Sequence, residues 1–487
     1  MNEPNVVINM PGLDFRQDVE PLVKEFFPLL YNEAGAVKLD FDLAEDRISV
    51  SVNEPEGRGF RVISEGFSSD EEKPKLRHRA YRNQLLRALY RLLSEFTGKT
   101  LPWGTLTGVR PTKLIFERLE RGEAKHLQFM DENYYVSKEK AALATRIAAV
   151  EYKLLDAIDY KKGYSLYIGI PFCPSICNYC SFGSHPISRF ADCVEPYIEA
   201  LKKEIKAVSG CFPERTLETV YFGGGTPTSI SAEQLRSLIR CVKENFDISG
   251  VREFTVEAGR PDSITEDKLR MLLEEGITRI SINPQSMVER TLETIGRKHT
   301  AAQVREAFVL ARNLGFDNIN MDLIAGLTGE DINDFRYTLS EIEKLDPDSV
   351  TVHTLARKRA ARLTTEGELY EGNEAKDVAL MVGTAAAFMK DHGYEPYYLY
   401  RQKNMTDNLE NVGYARPGKE GLYNILIMEE KQIILACGSG ASSKFVRDAG
   451  DKRFERVENV KNVHEYIDRI DEMIARKLDY IAEHDIS

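Results

Sequence analysis

Six short apolar segments alternate with amphipathic segments from Ser165 onward, and this alternation restricts the possible folds of the chain most strongly. The apolar segments read SLYIGIPF, ETVYFGG, EFTVEAG, RISINPQ, NINMDLIAG and SVTVHTL. Strands that are apolar throughout and separated by helices pair in parallel, with the helices outside. The pattern predicts an α/β fold built as a partial (β/α)6 barrel. Gly276 and Gly315 follow helix-like segments and predict left-handed C-caps.

The segments before and after this alternation predict three domains. Residues 1–160 mix strand-like and helix-like pieces, which predicts an α+β N-terminal domain. The helix-like stretch Lys75–Phe96 has a leucine face that predicts packing and an arginine face that is either solvated or in contact with an acidic partner. Residues 161–392 hold the predicted barrel. Residues 393–487 predict a substrate-covering C-terminal α/β extension, ending in a helix over 457–478.

Charge and cysteine content narrow the class of protein. Acidic residues number 77 against 65 basic ones, and the net charge of −12 argues against extended contact with a nucleic-acid backbone. The first thirty residues do not resemble a signal peptide, and no apolar run has the length of a membrane span. Three of the seven cysteines lie within eight residues, which indicates a metal site in a reducing compartment. We expect a soluble, cytoplasmic, metal-dependent protein.

The cysteine loop PFCPSICNYCSF has the spacing C-x3-C-x2-C through Cys173, Cys177 and Cys180. Three thiolates can bind three irons of a [4Fe–4S] cubane and leave the fourth iron open. An open iron can chelate the amino and carboxylate groups of S-adenosylmethionine, whose reductive cleavage releases a 5′-deoxyadenosyl radical. The alternative is a zinc site that takes His185 as its fourth ligand. Tyr179, before the last cysteine, is positioned to pack against adenine or within the core.

The cysteine loop resembles the signature of the radical-SAM superfamily. The strand YIGIPFC narrows the resemblance to the oxygen-independent coproporphyrinogen III oxidase family, which also matches FGGGTPT, INPQS, IGRKH and DLIAGL in order. The matched motifs cover about residues 165–445. The extended N-terminal region and the motif GVRPTK resemble the HemZ subgroup, usually labelled coproporphyrinogen dehydrogenase.

Polar residues end each predicted barrel strand, where barrel active sites are assembled from the βα loops. Glu257 would need a partner if buried, either a cofactor ammonium or ribose or a structural ion pair. His353 ends the sixth strand and is not expected to be a ligand. The resemblance implies that S-adenosylmethionine contacts Tyr167, Tyr179, Gly224, Gly225, Thr226, Glu257, Gln285, Arg297 and Asp322.

The resemblance also implies an activity, which is oxidative decarboxylation of coproporphyrinogen III to protoporphyrinogen IX in haem biosynthesis. The propionates of that small-molecule tetrapyrrole require cationic hosts, and Arg357, Arg359 and Arg401 are the candidates. A reductant such as flavodoxin or ferredoxin would supply the electron.

Two alternatives stay open at this point. Phe182 stands where characterised bacterial members of the family have a further cysteine, and it resembles the haem-chaperone branch, which binds haem. Lys403 stands where that branch has a histidine, and this argues for the enzyme. A radical-SAM enzyme with an unrelated substrate is the other alternative, because a shared barrel does not determine the substrate.

Overall fold

The chain divides into two compact units. One contains Met1–Ala149 and Tyr400–Glu410, and the other contains Val150–Leu399 and Asn411–Ser487. These borders differ from those of the three predicted domains, because strands of the predicted C-terminal extension pair directly with barrel strands. The computed structural model describes residues 6–11, 13–27, 37–54, 60–69, 73–108, 110–180, 183–355, 375–401, 409–446 and 454–486.

The first unit has a four-stranded sheet in the order β1-β2-β3-β4, in which β1 and β2 are parallel and the other pairs are antiparallel. The α+β organisation predicted for this region is confirmed. The elements are β1 (Val6–Asn9), α1 (Arg16–Phe26), β2 (Val37–Ala44), β3 (Arg47–Asn53), β4 (Phe60–Gly66), α2 (Pro74–Thr97), α3 (Thr112–Glu120), α4 (His126–Tyr134) and α5 (Lys138–Asp156).

Helix α2 confirms the helix predicted over Lys75–Phe96. Leu85, Leu89 and Leu92 on its apolar face are fully buried in the core of this unit, while the basic residues at its N-terminal end are exposed. Burial alternates along β2 in the same way, because successive side chains of a strand point to opposite faces. Apolar periodicity therefore determines which faces of these elements form the core.

The second unit contains the elements that carry the predicted chemistry. They are β5 (Gly163–Ile170), β6 (Phe172–Cys173), β7 (His185–Pro186), α6 (Ile187–Val208), β8 (Thr216–Gly224), α7 (Ala232–Asn245), β9 (Glu253–Glu257), α8 (Glu266–Glu274), β10 (Arg279–Ser281), α9 (Glu289–Thr294), α10 (Ala301–Leu314), β11 (Ile319–Ala325), α11 (Ile332–Leu345), β12 (Ser349–Thr354), α12 (Ala375–Asp391), β13 (Glu395–Tyr400), β14 (Asn411–Ala415), α13 (Leu422–Glu429), β15 (Ile433–Cys437), β16 (Ser442–Val446), β17 (Phe454–Glu458), α14 (Val463–Asp468) and α15 (Ile470–Glu483).

Six strands of this unit form the predicted partial barrel. Strands β5, β8, β9, β10, β11 and β12 lie side by side in sequence order, and all neighbours are parallel. Strand β15 pairs in parallel with β5 on one edge, and β14 pairs antiparallel with β12 on the other. The predicted strands are therefore confirmed, and the six-stranded run is extended on both edges.

Local capping explains where several helices end. Gly276 and Gly315 have φ values of 71° and 113°, as the left-handed C-caps require. The helix predicted over 457–478 is wrong at its start, because Asn462 caps α14 by accepting hydrogen bonds from two backbone amides. Val457 and Glu458, at the start of that predicted helix, belong to β17. No helix within the described ranges is both long and apolar enough to cross a membrane.

Candidate active site

The predicted site residues come from adjacent parallel strands of the second unit. The cysteine loop follows β5, Thr226 follows β8, Glu257 ends β9, Gln285 follows β10 and Asp322 lies in β11. Loops that follow parallel strands open at the same edge of a sheet, where barrel active sites form. The topology therefore brings these segments to one edge.

The cysteine loop is held in place by backbone contacts. Its first part pairs with the segment after it, with Phe172 opposite His185. Asn178 donates its backbone amide to the Ile295 carbonyl at 2.9 Å and its side-chain amide to the Thr294 carbonyl at 2.9 Å. The loop therefore has a defined position relative to the segment that follows α9.

The three thiols lie in different surroundings. Cys177 is buried, and Cys173 and Cys180 are half-buried. Burial raises the pKa of the Cys173 thiol, against a hydrogen bond with Thr226 at 3.3 Å that lowers it. The Sγ atom of Cys177 accepts a hydrogen bond from the Arg260 guanidinium at 3.4 Å.

Arg297 connects the cysteine loop to the loop after β10. Its Nη1 donates to the Asn283 carbonyl at 2.5 Å, and its Nη2 donates to the Tyr179 hydroxyl at 3.0 Å. Burial would lower the pKa of Arg297, but Tyr179 and the charge of Cys177 raise it overall. The buried Nε of Arg297 has no hydrogen-bond partner, so this guanidinium retains donor capacity.

The glycine motif packs against the chain that enters the cysteine loop. Gly224 has φ of 105°, and a Cβ on Gly225 would lie 2.6 Å from the Phe172 carbonyl oxygen. The backbone amides of Gly225 and Thr226 donate to the carbonyls of Ile170 and Phe172 at 2.8 and 2.7 Å. Only glycine fits this close approach between the two segments.

Glu257 lies beside a stack of tyrosines. The hydroxyl of Tyr221 donates to its carboxylate. Burial raises the pKa of Glu257 to about 7, against the lowering effect of the Tyr221 hydrogen bond. Tyr221 stacks on Tyr423 with ring centroids 4.4 Å apart, and Tyr167 stacks on Tyr221 at 6.1 Å. Glu257 is therefore a carboxyl group that gains or loses its charge near neutral pH.

Gln285 adopts a conformation that non-glycine residues rarely occupy. Its φ is 67°, and its backbone pairs with β11 through the Asp322 carbonyl and the Ile324 amide at 2.9 and 3.0 Å. Its buried Oε1 has no hydrogen-bond partner. A strained, buried residue with an unused acceptor fits a ligand hydroxyl.

Asp322 is charged where it lies. Burial would raise the pKa of Asp322, but His353, Asn320 and Thr351 lower it overall. Its carboxylate lies 3.6 Å from His353 Nε2 and accepts a hydrogen bond from Asn320 at 2.7 Å. His353 therefore contacts a residue that is predicted to bind the cofactor.

Of the three predicted substrate residues, the structure describes Arg401. Arg357 and Arg359 lie outside the described residues, as do Phe182 and Lys403. Arg401 lies in the first unit, where its guanidinium donates to the carbonyls of Leu106 and Leu409 and its side chain is 2% exposed.

The comparisons with known proteins identify the family. The model of the radical SAM superfamily matches residues 167–342. The oxygen-independent coproporphyrinogen-III oxidase-like protein HemZ of Bacillus subtilis (strain 168) is 41% identical over 454 residues, which cover 92% of this chain and 90% of that protein. The chain belongs to the HemZ family of radical SAM proteins. The heme chaperone HemW of the same organism is 32% identical over 315 residues, covering 63% of this chain and 76% of HemW.

A solved structure shares the fold. The coproporphyrinogen III oxidase HemN from Escherichia coli, a radical SAM enzyme, has a TM-score of 0.52 at 22% identity and covers 66% of this chain and 73% of its own. The predicted superfamily, the α/β fold and the two cofactors are confirmed. The cofactors of radical SAM proteins are a [4Fe–4S] cluster and S-adenosylmethionine.

The residues of this HemZ-family site fit both cofactors. No group of three or more His, Cys, Asp and Glu side chains in the described part of the chain is arranged to hold a single metal ion. A cubane sets a different requirement, because each thiolate binds a different iron. The guanidiniums beside Cys177 complement the negative charge of thiolate ligands, and Gln285 and Glu257 offer acceptors to a ligand.

Four residues that the sequence did not single out belong to this site. Tyr221 and Tyr423 form the stack beside Glu257, and Arg260 contacts Cys177. His299 lies 3.9 Å from Asp262, and burial together with Arg297 and Arg260 lowers its pKa to about 3. Arg260 shares the loop after β9 with Glu257, so its position in the chain was a usable signal.

Proposed function

We propose that this protein catalyses the oxidative decarboxylation of coproporphyrinogen III to protoporphyrinogen IX. The observation that carries the proposal is the 41% identity, over 92% of the chain, to a protein named as oxygen-independent coproporphyrinogen-III oxidase-like. The assembly of acidic, amide and cysteine side chains at one strand edge supports a radical SAM enzyme over a purely structural protein.

The site residues fall into one set for the cluster and one set for S-adenosylmethionine. When bound, the cluster and S-adenosylmethionine supply the radical that removes a hydrogen atom from the substrate. Cys173, Cys177 and Cys180 hold the cluster in this proposal. Tyr167, Tyr179, Gly224, Gly225, Thr226, Glu257, Gln285, Arg297 and Asp322 hold S-adenosylmethionine.

Glu257 and Gln285 are assigned different tasks within that set. Ionised Glu257 accepts hydrogen bonds from the cofactor amino group or ribose, and Tyr221 orients its carboxylate. Gln285 presents its unpartnered Oε1 to a cofactor hydroxyl. Arg297 directs its free donor capacity to the methionine carboxylate.

We assign Arg357 and Arg359 to bind the propionates of the substrate, because a tetra-anionic porphyrinogen requires positively charged side chains. Arg401 is left out of this set, because its guanidinium is buried and bound by backbone carbonyls of the first unit. Flavodoxin or ferredoxin is the proposed electron donor.

The experiment is anaerobic reconstitution of the cluster, followed by addition of dithionite and S-adenosylmethionine with and without coproporphyrinogen III. We expect 5′-deoxyadenosine formation that the porphyrinogen stimulates, together with protoporphyrin after re-oxidation. If coproporphyrinogen III does not change the amount of 5′-deoxyadenosine formed, it is rejected as the substrate. The protein would then be a radical SAM enzyme with a different substrate.

A haem-delivery protein is the second candidate. Phe182 occupies the position of the further cysteine, and HemW is 32% identical over 63% of the chain. This candidate predicts tight binding of haem and no cleavage of S-adenosylmethionine in the same assay. Haem titration followed by absorbance in the Soret band, run beside the deoxyadenosine assay, distinguishes the two.

A further inference from the structure

Arg260 contacts the cysteine loop at two residues. Its Nη1 lies 3.4 Å from Cys177 Sγ and 3.3 Å from the Ser175 carbonyl oxygen, and its Nη2 lies 3.1 Å from Ser175 Oγ. The residue is 3% exposed. A guanidinium keeps its proton under all ordinary conditions, so a fixed positive charge lies beside one of the three cluster thiols.

Asp262 fixes the direction of that guanidinium. Its two carboxylate oxygens accept from Arg260 Nε and Nη2 at 2.9 and 2.8 Å, a bidentate arrangement. One edge of the guanidinium is occupied in this way, and Nη1 is left to face Cys177. The pair therefore places a donor on the sulfur with little freedom to rotate.

Arg297 is a second cation beside Cys177. It interacts with that thiol, and its guanidinium also donates to the Asn283 carbonyl and the Tyr179 hydroxyl. His299 is neutral at ordinary pH, so it adds no positive charge beside Asp262. The contacts assigned to S-adenosylmethionine include neither Arg260 nor Asp262.

We propose that Arg260, oriented by Asp262, is a positioning residue that raises the reduction potential of the cluster through Cys177. Reduction potentials of iron–sulfur clusters depend on local charge and on hydrogen bonds to the sulfurs. Reduction adds one negative charge to the cluster, and a buried cation stabilises that charge strongly at low dielectric constant. The inference rests on membership of the radical SAM superfamily and not on the proposed porphyrinogen substrate.

The test is an EPR-monitored redox titration of the reconstituted protein, with no porphyrinogen present. We expect Arg260→Gln to lower the equilibrium constant for cluster reduction about tenfold, which is about 59 mV for one electron. Arg260→Lys should shift the potential in the same direction by less, because charge is kept and the fork is lost. Asp262→Asn keeps the guanidinium charge and one of the two acceptor oxygens that orient it, and removes a negative charge, so its potential should lie above that of Arg260→Gln.

Arg252→Gln is the matched control. Arg252 lies just before β9, at the opposite end of that strand from Arg260, pairs with Glu218 at 2.8 Å and has a side chain 55% exposed. We expect this variant to keep the wild-type potential.

The potentials of the Arg260 variants separate an electrostatic role from a structural one. An unchanged or raised potential in Arg260→Gln, or a potential in Asp262→Asn at or below that of Arg260→Gln, overturns the proposal. If Arg260→Gln does not retain a cluster, Arg260→Lys decides alone: a downward shift supports the proposal, and no shift or an upward shift rejects it. Iron and sulfide content of every variant is measured first, so that loss of cluster is not read as a change in potential.

Discussion

Ionisation of Glu257 should make the affinity for S-adenosylmethionine depend on pH. Burial raises the pKa of this carboxyl to about 7, so the protein holds a mixture of charged and neutral forms at neutral pH. Only the ionised carboxylate is purely an acceptor for a cofactor amino group or ribose hydroxyl. Because the folded-state pKa is raised, the binding-competent form is lost as the pH falls through 7.

The magnitude follows from the ionised fraction. A carboxyl with a pKa near 7 is roughly one-half ionised at pH 7 and roughly one-eleventh ionised at pH 6. The apparent Kd equals the intrinsic Kd divided by the competent fraction, so it should rise about fivefold over that unit of pH. Glu257→Gln removes the titration, and the Kd should become independent of this group and about tenfold weaker at pH 7, because a charge-assisted bond is replaced by a neutral one.

The assay is anaerobic equilibrium dialysis of labelled S-adenosylmethionine against the reconstituted protein at pH 7.0, 6.5 and 6.0. Values above pH 7 are avoided, because the cofactor amino group titrates near pH 8. Glu266→Gln, on the surface of α8 in a pair with Arg270, is the matched control and should keep the wild-type slope. Equal slopes in the wild type and Glu257→Gln would refute the assignment of Glu257 to the cofactor.

Three further predictions follow from contacts in the second unit. Tyr221→Phe removes the hydrogen bond that lowers the pKa of the Glu257 carboxyl, so a smaller fraction is ionised at pH 7.0 and the Kd measured there should rise; an unchanged Kd at pH 7.0 contradicts this. Cys177→Ala should abolish cluster binding by iron and sulfide analysis, whereas Cys193→Ala should keep it, and a retained cluster in Cys177→Ala would remove that ligand from the proposal. Lys477→Met leaves the fully buried Glu204 without its cation and should cost about 3–5 kcal/mol of unfolding free energy in urea, part of which Glu204→Gln restores in the double variant; a loss below about 1 kcal/mol would contradict this.

Apolar periodicity explains why the barrel strands could be predicted. Fully apolar strands between amphipathic helices leave few alternatives to parallel pairing, and β5 to β12 follow that pattern. The edges were harder to predict, because the partners of β14 and β15 are far away in the chain. No local sequence pattern indicates which strand a distant segment will pair with.

Some features of the candidate site could also be predicted from the sequence, and others could not. Glu257 and Gln285 could be placed because each follows an apolar strand. The unusual φ of Gln285 and the tyrosine stack beside Glu257 could not, since both result from packing between elements. The contacts of Arg401 with the Leu106 and Leu409 carbonyls could not be predicted either, because Leu106 lies far from Arg401 in the chain.

The loop after β9 combines two opposite charges that serve different parts of one site. Glu257 ends the strand beside the tyrosine stack, and Arg260, three residues later, turns to the cysteine loop. Only Ala258 and Gly259 separate Glu257 from Arg260 in the chain. A displacement of this loop would therefore alter the host of S-adenosylmethionine and the charge beside Cys177 together. The backbone of this βα loop should therefore couple the binding of the cofactor to the reduction of the cluster, and the three redox variants at Arg260 and Asp262 should also change the Kd for S-adenosylmethionine.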